Sequence, residues 1–207
     1  EEKILLMALE SGKNDEIIAA VKSICEECTF NKIDISSLPM FDIEYIFLNI
    51  RAKSVGEVSK LKIKCPDDGK TLAPVEIDLN KVNVEIGEGH TNKIELEEGT
   101  GIIMQYPTID SFSKLGLTNI TARNMTDIVA ACILQIYEKN GEKVYNAKDQ
   151  TIKELSDFVE QMNTAQFKKV QNFFDTMPKL KHKIKVKNPK TKVESEVTLQ
   201  GLSDFFG

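Results

Sequence analysis

The chain has no tryptophan and only two histidines, His90 and His182, in 207 residues. With so few imidazoles and no Gly-x-Ser-x-Gly elbow, nucleophilic catalysis has little to build on. A Walker-type phosphate loop is missing as well. Gly87-Glu88-Gly89 and Gly99-Thr100-Gly101 are glycine pairs beside turn residues, without the longer loop and helix start that phosphate binding uses. No apolar run approaches the roughly 18–20 residues of a membrane span, and "ILLMAL", Ile4 to Leu9, is far shorter. No charged-then-apolar leader ending in small residues is visible. The four cysteines, Cys25, Cys28, Cys65 and Cys132, therefore read as reduced thiols of a cytoplasmic protein rather than as a secreted disulfide framework.

What is present suffices for a core. Hydrophobic residues make up 41% and charged residues 29%, and a chain of this length buries roughly 70% of its unfolded surface without help from disulfides or metal. The net charge of -5 is spread along the chain, so nucleic acid is not a favoured partner.

Periodicity divides the chain into four stretches: a helical segment over 1–57, β-hairpins over 58–107, helices over 108–178, and a terminal hairpin over 179–207 packing back on the first. Ile17, Ile18, Val21, Ile24, Cys25 and Cys28 form one helical stripe, with Asn14 as its cap and Asp15 and Glu16 suited to the helix dipole. A second helix follows Pro39, with Ile43, Ile46, Phe47 and Ile50 inward, and runs to about Lys53. "VSKLKIK" and "APVEIDL" alternate about a Pro-Asp-Asp-Gly turn, and Ile94 to Tyr106 form a central hairpin by the same logic. Thr121 is expected to open a helix carrying Ile128, Val129, Cys132, Ile133 and Ile136. Thr151 with Glu154 forms a capping box for the next, and Asn163 or Thr164 starts a third with Phe167, Val170 and Phe174, stopped by Pro178. Between the first two of these, Val144 and Tyr145 extend briefly. The expected fold is α+β: a helical core, two related antiparallel hairpins of a degenerate zinc-ribbon kind, and the central hairpin.

The relation between the two hairpins raises a metal question. "LKIKCPDDGK" begins as a zinc knuckle does, but a closed tetrahedral site needs four Cys or His ligands. The first turn offers Cys65 and Asp68, the second Asn188 and Thr191, so one thiolate survives of a possible four. "CEEC", Cys25 to Cys28, falls on an apolar helical stripe and reads as core, as does Cys132. No catalytic residue, metal ligand or cofactor is therefore assigned, and no small-molecule substrate or membrane is expected. The acid pairs Glu26 and Glu27, Asp67 and Asp68, and Glu97 and Glu98 read as turns or solvated faces.

Partner-binding candidates are surface groups. Lys179, Lys181, Lys183, Lys185 and Lys187 alternate strictly, which puts them on one side of a strand. They either guard an edge strand against aggregation or offer a contact to an acidic partner. Of these, Lys181, Lys183 and Lys185 are the contact candidates. Phe205 and Phe206 either fold into the core or present an apolar anchor. Arg51 either contacts a partner or solvates a helix end.

"LLMALESGKNDEIIAAVKSICEECT" and "IDISSLPMFDIEYIFLNIRAKSVGE" carry a resemblance. So do the weaker "YPT" at Tyr106 and the closing Gly-Leu-Ser-Asp-Phe-Phe. On these residues the chain resembles the baseplate proteins of T4-type bacteriophages, the hub assembly proteins of contractile tails. The resemblance implies a late tail-morphogenesis protein without enzymatic chemistry, acting as a chaperone or assembly factor for the central hub. The alternative it leaves is a permanent hub subunit. Its partners would be baseplate hub or tail proteins, met in the host cytoplasm during assembly or in the virion baseplate. A degenerate zinc-ribbon regulator binding nucleic acid is a further reading, which the net negative charge opposes. The resemblance implies that relatives often carry cysteine pairs at one or both hairpin turns, which would make the turns here a departure, so metal binding is not carried over from the family. Elemental analysis of the purified chain should find less than about half an equivalent of zinc, because one thiolate cannot close a ligand set.

Overall fold

The computed structural model describes residues 14–115, 125–138 and 142–206. In chain order the elements are α1 (Asn14–Cys28), α2 (Met40–Ser54), β1 (Val58–Lys64), β2 (Leu72–Asp78), β3 (Asn83–Glu85), β4 (Lys93–Glu97) and β5 (Thr100–Met104). These are followed by α3 (Ile109–Lys114), α4 (Met125–Ala131), β6 (Ile133–Glu138), β7 (Lys143–Asn146), α5 (Ile152–Glu160), α6 (Thr164–Thr176), β8 (Lys179–Lys187), β9 (Glu194–Gln200) and α7 (Leu202–Phe206). The fold is α+β with antiparallel sheets. Contacts divide it into two units, one of residues 1–23, 34–40 and 86–177, the other of residues 24–33, 41–85 and 178–207.

Helix α1 buries Ala20, Val21, Ile24 and Cys25 along its apolar stripe. The side chains of its expected cap and first-turn acid, Asn14 and Asp15, lie outside the described residues. Helix α2 buries Ile43 and Phe47 as its spacing requires, together with Leu48 and Ala52, which widens the apolar stripe beyond a single row.

In the first unit, β4, β5, β6 and β7 form a four-stranded sheet in that order. Ile94, Ile102 and Met104 from the sheet pack with Val129 from α4, Leu155 and Val159 from α5, and Val170 and Phe173 from α6. Both later helices begin with reciprocal caps. The Thr151 hydroxyl accepts from the Glu154 amide while the Glu154 carboxylate accepts from the Thr151 amide, and Asn163 and Gln166 exchange bonds the same way. The free edge of β4 is closed by a lysine: Lys169 Nζ donates to the carbonyls of Glu95 at 2.8 Å and Leu96 at 3.2 Å, occupying acceptors that another strand could otherwise use.

The expected helix from Thr121 to Ile136 is corrected. Residues 121–124 lie outside the described residues, α4 ends at Ala131, Cys132 turns the chain, and Ile133 to Glu138 are strand β6. Ile128, Val129, Cys132, Ile133 and Ile136 satisfy a helical stripe, yet "ILQIYE" is also rich in β-branched and aromatic residues. Pairing with β5, where Ile102 stands opposite Ile136, decides between the two periods. The central hairpin is accordingly half of a larger sheet, with Val144 and Tyr145 in β7.

The second unit is built from the two related hairpins. β1 pairs β2 from Val58↔Asp78 to Lys64↔Leu72, and β8 pairs β9 from Lys181↔Gln200 to Lys187↔Glu194. Inward residues Leu61, Ile77, Leu180 and Leu199 share one core with Leu48 and Ala52 of α2 and with Phe205. Nearer the turns, Cys65, Ala73 and Val186 form a smaller cluster. Strand β3 adds a third strand to the terminal hairpin through Asn83↔Lys181 and Glu85↔Lys179.

Gly101 shows how closely the first sheet is packed. A Cβ there would collide with the Ile94 carbonyl and the Tyr137 ring, and Lys93 Nζ covers the same ring at 5.0 Å from its centroid. Gly101→Ala should lower stability by about 1–3 kcal/mol, as overpacking does, read as a reduced urea midpoint with an unchanged denaturant slope.

Candidate functional site

The two hairpin turns are built alike and meet. In the first, the Cys65 carbonyl accepts from the Gly69 amide at 2.9 Å and the Cys65 amide donates to Thr71 O at 2.8 Å. In the second, the Asn188 carbonyl accepts from the Lys192 amide at 2.9 Å and the Asn188 amide donates to Val193 O at 2.9 Å. The fifth residue of each turn is left-handed, Gly69 at φ 62° and Lys192 at φ 67°. Glycine fits that conformation without strain, whereas lysine adopts it at a cost.

Asn188 joins the turns across 121 residues of chain. Its side chain is fully buried, and every hydrogen-bonding group it has is used. Nδ2 donates to Asp67 Oδ1 at 3.0 Å and Oδ2 at 3.1 Å, and to Asp68 Oδ2 at 3.1 Å. Oδ1 accepts from the amides of Lys190 at 2.8 Å and Thr191 at 3.3 Å. Thr191 Oγ1 adds a 2.5 Å bond to Asp67 Oδ2. Asp68 is anchored within its own turn, accepting from the Lys70 and Thr71 amides and, at 2.6 Å, from the Thr71 hydroxyl. The four positions compared in the sequence, Cys65, Asp68, Asn188 and Thr191, thus belong to one cluster of turn residues, with Asp67 as an additional acceptor.

Electrostatics follow from these bonds. Those from Thr191 and Asn188 hold the Asp67 carboxyl below its usual range, and those from Thr71 and Lys70 hold Asp68 lower still. Burial, then the two carboxylates, push the Cys65 thiol up. Among the described residues no group of three or more His, Cys, Asp or Glu is placed to hold a metal ion. Amide and hydroxyl hydrogens lie against the carboxylates instead.

Two further thiols are pushed up as well. Burial raises Cys132 to about 12. Burial, then Cys28 and Glu26, raise Cys25 to about 12. His90 is not isolated: Nδ1 lies 2.9 Å from Thr176 Oγ1 and Nε2 lies 2.9 Å from Tyr106 Oη. Because the Thr176 hydroxyl donates to Asn172 O, it must accept from His90 Nδ1–H, which leaves Nε2 to accept from Tyr106. Burial lowers the His90 pKa, in keeping with a neutral ring stacked against Tyr106 and tilted against Phe173. A groove of about 590 Å³ in the first unit is lined in part by Gln105, Thr108 and Ser111. Gln105 donates to Ala131 O, and Thr108 and Ser111 bond one another, so these side chains serve the fold.

The lysine row lies on the outer face of the terminal hairpin. Lys183, Lys185 and Lys187 are exposed, and Lys179 and Lys181 are half-buried. Strand β8 is central in its sheet over Lys179–Lys181, where β3 flanks it, so it is not an edge strand along its full length. Acids stand across from part of the row: Glu85 opposite Lys179, Glu196 opposite Lys185 and Glu194 opposite Lys187. Lys183 Nζ reaches Glu196 at 3.9 Å. Five lysines still outnumber three acids on this face.

The other candidates turn inward or act locally. Phe205 is fully buried, and its carbonyl accepts from the buried Ser59 hydroxyl at 2.8 Å. It is a core residue and offers no surface to a partner, which corrects the anchor reading. The side chain of Phe206 lies outside the described residues. Arg51 Nη1 donates to Gly56 O at 3.3 Å and so closes the end of α2. Comparing the two turns in the sequence matched Cys65 with Asn188 and Asp68 with Thr191, but Asp67 was read only as part of a turn or solvated acid pair, because nothing local marks it as the acceptor of Asn188.

The fold and the site define an α+β protein in which two similar hairpins are latched at their turns by side-chain hydrogen bonds. Residues 1–207, the whole chain, match the family described as T4 bacteriophage base plate protein, and the chain belongs to that family. Comparison with curated proteins and with solved structures gave no match.

Asn188→Ala removes the buried amide that joins the two turns and leaves the Lys190 and Thr191 amides without their acceptor, so the urea midpoint should fall. The native carboxyls of Asp67 and Asp68 are depressed, so their contribution is complete above the unfolded value near pH 4 and is lost as pH falls through the native values. Urea midpoints measured from pH 7 down to pH 2 should therefore fall less steeply with acid in Asn188→Ala than in the native chain.

Proposed function

We propose that the chain is a non-enzymatic tail-morphogenesis protein that binds another baseplate component, of the central hub, and assists its assembly in the host cell. The observation that carries this reading is the lysine row on β8. Its positive excess faces outward from a hairpin whose interior is fully committed, and such a face steers and orients an acidic protein surface. Support also comes from the reactive groups: two thiols are held protonated by burial, and the clustered carboxylates are taken up by hydrogen bonds, Asp68 from its own turn and Asp67 from Asn188 and Thr191 of the other. In the same reading the paired turns are a zinc-ribbon frame without its metal, supported by the matching backbone bonds and the left-handed fifth residue of each turn.

The test is co-expression of the chain with each baseplate protein of the same phage, followed by co-purification and mass spectrometry of mature particles. A complex in cells with no copy in virions is the outcome expected of an assembly factor, whereas a stoichiometric copy in virions makes it a permanent subunit. Replacing Lys181, Lys183 and Lys185 together by Gln should weaken the complex about tenfold, at roughly 0.5 kcal/mol per charge, and reduce its salt dependence. The unfolding midpoint should barely move, as is usual for surface changes.

A further inference from the structure

Lysines alternate along the first hairpin as they do along the terminal one. Lys60, Lys62 and Lys64 of β1 are exposed, with Leu61 buried and Ile63 half-buried between them. Strand β2 completes this outer face with Glu76, Pro74 and Leu72, which stand opposite Lys60, Lys62 and Lys64. The inward residues of the two hairpins share one core, so their outer faces look in opposite directions and a flat partner surface that meets the β8 row does not reach this one.

The acids of this face are already answered. Glu76 lies 3.2 Å from Lys60 Nζ, while Asp78 accepts from the Asn80 amide and lies 3.5 Å from Lys81 Nζ. Lys62 and Lys64 face Pro74 and Leu72 instead, and no ion pair among the described residues reaches either ammonium group. Leu72 is 53% exposed, and Pro74 is exposed beside it. Although the chain is net negative, its two hairpins hold eleven lysines against six acidic residues over 58–78 and 179–200, so the positive charge is concentrated on the unit that carries these faces.

We infer that the outer face of the first hairpin is a second docking surface, which takes an acidic protein surface bearing apolar groups among its carboxylates. This rests on the reading above that the chain binds a baseplate component. Charge complementarity asks for carboxylates or phosphates opposite Lys62 and Lys64, and the neighbouring apolar pair chooses between them. A protein surface buries apolar side chains inside a polar rim, whereas a phosphate backbone pairs with lysines and offers nothing to Leu72. Pro74 has no amide hydrogen to donate, which blunts the edge of β2 and leaves its face for the partner. A symmetric contact with a second copy would bring two identical cationic strips together, which like-charge repulsion opposes.

Replacing Lys62 and Lys64 together by Gln separates this face from the β8 row. Both positions are exposed, so the unfolding midpoint should barely move. Affinity for a baseplate protein that the native chain retains should fall about fivefold, and the salt dependence of that complex should flatten. Leu72→Ser should weaken the same complex at high salt as well as low, because apolar burial is not screened by ions. Unchanged binding by the Lys62 and Lys64 variant, with the Lys181, Lys183 and Lys185 replacement still weakening the complex, would overturn the second surface and leave the binding reading intact. Unchanged binding by Leu72→Ser would reduce the strip to bare charge and overturn the choice of a protein surface. A native chain that retains none of the phage's baseplate proteins removes the binding reading and this surface with it. Duplex DNA or anionic lipid vesicles that bind the native chain and not the Lys62 and Lys64 variant, with the baseplate complexes untouched, would assign the strip to phosphates and overturn its assignment to a protein. Self-association of the native chain that the same variant abolishes would make a second copy the occupant and overturn it as well.

Discussion

The Asn188 side chain is the constraint on which the second unit turns. Two hairpins, more than a hundred residues apart in sequence, bury their inner faces in a shared core of Leu61, Ile77, Leu180 and Leu199. Apolar packing of this kind is strong but indifferent to small shifts of one ribbon along the other. A buried amide is not indifferent. Its two hydrogens must find Asp67 and Asp68, and its oxygen must find the Lys190 and Thr191 amides, because an unmet polar group in that setting is costly. Only one register meets all of these demands at once. The latch therefore adds positional specificity to a contact that burial already favours.

With the turns latched, the neighbouring chemistry is drawn into the fold. Asp68 accepts from its own turn and Asp67 from the other, the Cys65 thiol is pushed up beside them, and Phe205 closes the core with its carbonyl on Ser59. Groups that would suggest reactivity in a list of residues are structural once their partners are named. Among the described residues the outward-facing features include a lysine row only partly answered by acids and an aromatic ring held out on a left-handed turn. The lysine row suits a member of a family whose setting is a multi-protein baseplate.

Local signals were readable wherever both halves of the signal lie a few residues apart. Thr151 with Glu154 and Asn163 with Gln166 announce their helix starts, and both capping boxes form. The alternating arms around Pro66 and Pro189 announce their hairpins for the same reason. The stretch from Ile128 to Ile136 was not readable, because its apolar residues fit a helical stripe and a strand equally well and the choice rests with β5. Lys169 closing the β4 edge and His90 bridging Tyr106 and Thr176 were hidden too, since neither has a partner nearby in sequence.

The same division runs through the candidate site. Residue order alone determined the α+β class, the two related hairpins with their proline turns, and the one-sided lysine row, because side-chain direction in a strand follows from period two and needs no distant partner. Tertiary structure decided that Asn188 meets Asp67 and Asp68, that Phe205 faces inward, and that Phe30 faces outward from a left-handed turn. Burial and long-range hydrogen bonds belong to pairs of residues brought together by folding, and no single stretch of chain contains both members of the pair.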